Sequence, residues 1–203
     1  MRLFYSVTSP YARKVLVTAM EKGFCGRLVL APCNPHEAGP ELLAHNPMSR
    51  VPTLVLEDGT SLYDSPVICE WLDGAGEGPR LIPLDGAGRW RVLRLQALAD
   101  GMMDDAYDNV TEGRRPASQQ SPAEMDRRNA ALLRGAAALA GDLAPVPSPV
   151  TLAHIAAACA LGYLDHRLPG LDWRCGNPDL ADWYAGFSRR PTMAATKPDA
   201  GAG

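Results

Sequence analysis

The chain has little lysine: only Lys14, Lys22 and Lys197 among 20 basic residues, the rest being arginine. Those 20 stand against 23 acidic residues, for a net charge of -3. No basic excess is present to hold a phosphate backbone, which argues against nucleic acid as a partner. Nowhere do 18 apolar residues run together, so no membrane-spanning helix is expected. Met1 leads into the strand-like Arg2-Leu3-Phe4-Tyr5-Ser6, not into a charged and then apolar leader, and the expectation is a soluble cytoplasmic protein. The five cysteines, Cys25, Cys33, Cys69, Cys159 and Cys175, are odd in number and contain no Cys-x-x-Cys pair. Neither a disulfide framework nor a metal site is expected from them. What is abundant is apolar residue, 46% of 203, enough for a packed core in one large domain or two small ones.

The two halves differ in texture. In the first, Arg2 to Tyr5 reads as a strand, Pro10 to Lys22 as a helix stopping at Gly23, and Arg27 to Leu30 as a second strand. A short helix from about Glu37 to His45 precedes Asn46-Pro47. Thr53 to Leu56 and Ser61 to Tyr63 then flank Asp58-Gly59, a dipeptide that tolerates the positive φ of a tight hairpin. Another helix opens at Asp64-Ser65-Pro66. The second half has no convincing strand. Apolar residues recur every three or four positions from Trp90 to Val110 and from Met125 to Leu143, and Thr151 to Leu164 is almost wholly apolar, as a helix surrounded by others would be. Asn177-Pro178 opens a last long helix. The predicted division is residues 1–76, a Gly- and Pro-rich linker over 77–88, and an all-helical domain over 89–203.

Ser9-Pro10 and Ser65-Pro66 share a local design, a serine at the N-cap and a proline in the first helical turn. Free N–H groups and the positive helix end favour an anion there, and the hydroxyl adds a donor, although capping alone accounts for either site in isolation. Val51-Pro52 stands just before a strand, where a cis bond would turn the Val51 main chain toward an extended ligand.

The order of these features, with the motifs Ser9-Pro10-Tyr11-Ala12-Arg13, Asn46-Pro47-Met48-Ser49-Arg50-Val51-Pro52 and Asp64-Ser65-Pro66-Val67-Ile68 followed by an all-helical half, resembles the soluble glutathione transferases. The resemblance implies a thioredoxin-like N-terminal domain joined to an all-α C-terminal domain. It implies that glutathione is the co-substrate and that no other cofactor is needed. Val51, ahead of cis-Pro52, would pair with its cysteinyl part, Asp64 and Ser65 would hold the γ-glutamyl end, and Arg50 and Tyr11 would complete the site. Ser9 takes the position of the reactive cysteine of thioredoxin-like redox proteins and is the candidate donor to the thiolate, with Tyr5 and Thr8 as rivals. Thr8, Met103 and Tyr107 are candidates for an apolar co-substrate pocket, with core packing the alternative for the last two. One departure stands out. Where the family's buried helix opens Ser/Thr-x-x-Asp, this chain has Thr151-Leu152-Ala153-His154, so the reciprocal capping bond should be lost or weakened.

The function expected is conjugation of glutathione to a small hydrophobic electrophile, or reduction of a peroxide, by a cytoplasmic homodimer. The alternative is a non-catalytic binding or regulatory protein on the same scaffold.

Overall fold

The computed structural model describes residues 1–37, 39–143 and 149–198. They fall into two compact units: Met1–Ile82 with the described residues from Pro191 on, and Pro83–Arg190.

The first unit runs β1 (Arg2–Tyr5), α1 (Pro10–Glu21), β2 (Val29–Pro32), α2 (Pro40–His45), β3 (Thr53–Val55), β4 (Ser61–Leu62) and α3 (Ser65–Ala75), with a single 3-10 turn at Pro35–Glu37 before α2. The sheet order is β2-β1-β3-β4, with β1 parallel to β2 and antiparallel to β3, and β3 antiparallel to β4. This is the thioredoxin-like arrangement. Leu3 and Phe4 are adjacent on β1 and both buried, so both faces of the sheet are covered. Phe4 packs with Ala31 and Leu42 of α2, while α1 and α3 pack against each other. Phe4 and Leu42 each contribute about 1.5–3 kcal/mol by leaving water.

The second strand lies two residues further on than the sequence suggested. Gly26 (φ +81°) and the bond from Arg27 N–H to the Phe24 carbonyl keep that stretch in a turn, and pairing of Arg2 with Val29 through Tyr5 with Pro32 sets the strand. A proline is tolerated there because β2 is an edge strand. The hairpin forms as expected, with Gly59 at φ +86° and Thr60 N–H donating to Asp58 Oδ1 at 2.9 Å.

Past α3 the chain is held by a buried ion pair. Lys22 Nζ lies 3.3 Å from Asp73 Oδ1, the two side chains only 1% and 2% exposed. The ammonium also donates to the Pro79 carbonyl at 2.9 Å, and the carboxylate accepts from Leu81 N–H at 2.8 Å and Ile82 N–H at 3.1 Å. Pro79, Leu81 and Ile82, in the stretch expected to be the linker, are thereby held to the first unit.

The second unit contains α4 (Gly86–Gly113), α5 (Pro122–Asp142), α6 (Leu152–Arg167) and α7 (Pro178–Phe187), and no strand among its described residues. α6 packs against α4 and α7, and its residues 152–161 are all buried, as its apolar sequence required. α4 and α5 approach closely at Gly135, where an added Cβ would lie 2.8 Å from Met102 Sδ. Trp173, fully buried, donates Nε1–H to Asp165 Oδ1 at 2.9 Å, and Arg174 grips the same carboxylate with two bonds of 2.7 Å. That clamp fixes the turn between α6 and α7.

The expectation for the start of α6 is corrected. The reciprocal capping bond is kept, with histidine in place of a carboxylate: Thr151 N–H donates to His154 Nδ1 at 3.1 Å. An imidazole nitrogen without a hydrogen accepts as a carboxylate oxygen does. The ring is oriented for this by stacking against Phe187 (6.2 Å between centroids) and by the tilted Trp183 ring at 6.1 Å.

α8 (Pro191–Ala195) belongs to the first unit. The buried Arg13 donates to the Met193 carbonyl at 3.0 Å, and the Thr192 hydroxyl donates to Glu21 at 2.7 Å, so the end of the chain is tied to α1. The tail expected to fray begins at Lys197; beyond residue 198 it lies outside the described residues.

Candidate functional site

Strand register brings the sequence motifs to one end of the sheet. Phe4 pairs with Thr53, so the end of β1 and the Ser6–Ser9 turn lie beside Pro52. Leu62 pairs with Leu54, so the end of β4, leading into Asp64 and Ser65, lies beside the same start of β3. The N-termini of α1 and α3 and the Val51-Pro52 bond, which is cis, therefore share one edge of the first unit.

Ser9 is the N-cap of α1. Its Oγ accepts from Ala12 N–H at 3.2 Å, and its own N–H donates to the Ser6 carbonyl at 3.1 Å. A hydroxyl has one hydrogen and two lone pairs. The cap uses a lone pair, which leaves the hydrogen to be donated to an anion at the helix start.

Ser65 departs from its expected position. The N-cap of α3 is Asp64, whose side chain makes no cap bond, and Ser65 is the first helical residue. The tertiary setting of β4 ends the extended segment at Asp64, one residue before the point that Ser-Pro by itself implies. The Ser65 hydroxyl is consequently not spent on capping: it is buried and has no hydrogen-bond partner. Buried polar atoms without partners are uncommon and costly. This one lies beside the exposed Asp64 carboxylate and the unpaired N–H groups of a helix N-terminus.

The loop before Pro52 is pinned by the buried Asn46, whose Nδ2 donates to the Arg50 carbonyl at 3.2 Å and Thr53 Oγ1 at 3.0 Å, while its Oδ1 accepts from Met48 N–H at 3.0 Å. The Thr53 hydroxyl donates to the same Arg50 carbonyl at 2.8 Å. Sequence reasoning gave Asn46 and Thr53 no role. The available signal was Asn46-Pro47, since asparagine before a turn bonds to main chain two residues on. The Arg50 side chain itself is exposed, and Tyr11, Thr8 and Tyr5 are half-buried around the first turn of α1 and the loop before it. In the helical unit Met103 is fully buried, as its core-packing alternative has it, whereas Tyr107 remains 36% exposed. The cause is its place on the stripe of α4 that carries Met102, Ala99 and Ala106, all buried as well.

Known proteins agree with this arrangement. The family model "Glutathione S-transferase, N-terminal domain" matches residues 8–75, and "Glutathione S-transferase, C-terminal domain" matches residues 122–186. An uncharacterized GST-like protein of Escherichia coli K12, YibF, is 35% identical over 201 residues, covering 98% of each chain. A glutathione transferase family member from Pseudomonas fluorescens Pf-5, solved with bound glutathione, superposes with a TM-score of 0.93 at 40% identity, over 98% of both chains. The same family member is also known with bound S-(propanoic acid)-glutathione (TM-score 0.89, over 98% of this chain and 100% of the other). A glutathione S-transferase from Methylobacillus flagellatus, solved with glutathione, is 41% identical with a TM-score of 0.86, over 98% of this chain and 99% of the other. With a helix-start serine left unbonded beside a cis proline in a thioredoxin-like unit, and both halves matched, this chain belongs to the glutathione S-transferase family.

Proposed function

We propose that this chain is a working glutathione transferase in which Ser9 stabilises the thiolate. The observation that carries the reading is the buried, partnerless Ser65 hydroxyl at the start of α3. The γ-glutamyl end of glutathione bears a carboxylate and an ammonium. The carboxylate takes the Ser65 hydroxyl and the helix-start N–H groups, and the ammonium takes Asp64. The cysteinyl part extends along the Val51 main chain, which orients the sulfur toward Ser9, with Arg50 available to the glycyl carboxylate and Tyr11 and Thr8 beside it. Glutathione bound to relatives at about 40% identity supports this assignment. The bound S-(propanoic acid)-glutathione of one of them is a thioether, which supports conjugation over peroxide reduction. In conjugation the sulfur forms a bond to carbon while a leaving group departs or a double bond takes up a proton. No metal takes part in this scheme and the enzyme forms no covalent bond to substrate.

Calorimetric titration with glutathione tests the reading. Ser65→Ala should weaken binding by about 1.5–3 kcal/mol, the scale of a hydrogen bond to a charged group. Because Ser65 neither caps α3 nor bonds to protein, the unliganded variant should be no less stable than the wild type. Absence of binding at millimolar glutathione would leave the non-catalytic reading, and equal affinity in the variant would remove Ser65 from the site.

The protein is further proposed to be a cytoplasmic homodimer. No helix among the described residues is long and apolar enough to cross a membrane. Each unit exposes large apolar side chains, Trp90 (68%) and Leu84 (73%) in the helical unit and Met48 (63%) in the first. Such surface marks association sites. Light scattering at micromolar concentration should give twice the 21.7 kDa chain mass; a stable species of one chain mass rules the dimer out.

A further inference from the structure

Val51 is restrained on three sides, yet its own N–H is left unbonded. Its half-buried side chain packs against the cluster of Phe4, Ala31 and Leu42. The residue after it is Pro52, whose ring fixes φ and which has no N–H. The residue before it, Arg50, has its carbonyl gripped twice, by Asn46 Nδ2 at 3.2 Å and by the Thr53 hydroxyl at 2.8 Å. A carbonyl oxygen has two lone pairs, and here both are in use. The Val51 N–H, by contrast, has no hydrogen-bond partner among the described residues.

That carbonyl and that N–H belong to one peptide unit. The Arg50–Val51 bond is trans, and in a planar trans peptide the oxygen and the hydrogen point in opposite directions. The two bonds on the Arg50 oxygen therefore aim the Val51 N–H away from Asn46 and Thr53, which are 2% and 0% exposed. Both anchors are themselves fixed. Asn46 N–H donates to the Leu42 carbonyl at 2.8 Å, its carbonyl accepts from Ser49 N–H at 2.9 Å, and its Oδ1 accepts from Met48 N–H at 3.0 Å. Thr53 opens β3 and pairs with Phe4. A single bond from Thr53 would close the turn that starts at Arg50. The second, from a buried side chain four residues upstream, adds orientation to closure.

We propose that Asn46 and Thr53 are positioning residues for glutathione: they hold the Arg50–Val51 peptide unit so that the Val51 N–H meets the carbonyl oxygen of the cysteinyl residue without reordering of the loop. The proposal rests on the glutathione reading above and adds to it the two side chains that aim the donor. Both act through the Arg50 carbonyl. A donor already aimed loses no freedom when the ligand arrives, and preorganised sites gain affinity in this way.

Two analogues separate positioning from support of the fold. Ophthalmate, γ-glutamyl-2-aminobutyryl-glycine, keeps the carbonyl of the cysteinyl position and lacks the thiol. γ-Glutamylethylamide keeps the γ-glutamyl end and its amide but lacks that carbonyl. Each is titrated into the full chain. Thr53→Val, equal in shape, should weaken ophthalmate about tenfold and γ-glutamylethylamide by less than about twofold, because only the first ligand accepts from the Val51 N–H. Thr53→Ser, which restores the hydroxyl, should regain most of the ophthalmate affinity. An equal loss for the two ligands, or no loss for either, overturns the proposal. A second measurement needs no variant: hydrogen exchange of the Val51 amide in the wild type should slow at least about tenfold when ophthalmate is bound and stay unchanged under saturating γ-glutamylethylamide. Unchanged exchange with ophthalmate bound overturns the proposal even where Thr53→Val fails to fold. A wild-type chain that binds neither analogue nor glutathione at millimolar concentration overturns the glutathione reading itself, and the positioning role with it.

Discussion

Ser9→Ala is expected to raise the pKa of bound glutathione's thiol by about one to two units. Bringing a thiol from about 8.5 to about 6.5 needs roughly 2.7 kcal/mol of preferential thiolate binding. The helix start supplies about 0.3–1 kcal/mol and one hydrogen bond to a charged acceptor about 1.5–3 kcal/mol, so the hydroxyl carries most of the shift. A raised pKa leaves less thiolate at neutral pH, and turnover there should fall roughly 3- to 25-fold. The loss should shrink as pH rises above the shifted pKa, where both proteins hold the thiolate. Ultraviolet thiolate absorbance of the glutathione complex across pH makes the measurement. A curve identical to the wild type transfers the role to Tyr5 or Thr8. Because Ser9 Oγ also accepts from Ala12 N–H, the variant should lose about 1 kcal/mol of stability as well, an effect independent of pH in this range and separable on that basis.

Asp73→Ala should cost about 3–5 kcal/mol of stability, a large share of what a domain possesses. The change strands the Lys22 ammonium, 1% exposed, without its counter-charge, and leaves the Leu81 and Ile82 N–H groups without acceptors. Removing both charges, in Lys22→Met with Asp73→Ala, should recover part of the loss, since an uncompensated buried charge costs more than a missing pair. Urea unfolding of the three proteins reads this directly. A single-variant loss below about 1 kcal/mol would mean that water reaches the pair and compensates it.

Much of the site was legible in the chain because its parts are local. Ser9-Pro10, Asp58-Gly59 and Asn177-Pro178 each announce a cap, a turn or a helix start through neighbours within a few residues, and each forms where expected. Periodicity likewise gave the long helices, though α4 begins at Gly86 and ends at Gly113, beyond the apolar stretch that revealed it. Less was legible where the partner is distant. Nothing near Lys22 in the sequence indicates Asp73, nothing near Arg13 indicates Met193, and His154 looked like the loss of a cap because its stacking partner Phe187 lies 33 positions away.

The sequence by itself therefore determined the order of elements, the covered and uncovered faces of the helices, and the residue types at each helix start, because these depend on side-chain chemistry and on contacts within a turn or two. Tertiary structure decided which of those starts meet. The register of β1, β3 and β4 places Ser9, Pro52 and Ser65 at one edge, and the path out of β4 makes Asp64 the cap and leaves the Ser65 hydroxyl unbonded. The reason is physical: a hydrogen bond made within a turn is set by the local chain, whereas burial, and with it the demand that a buried polar atom find a partner, exists only after distant segments have packed.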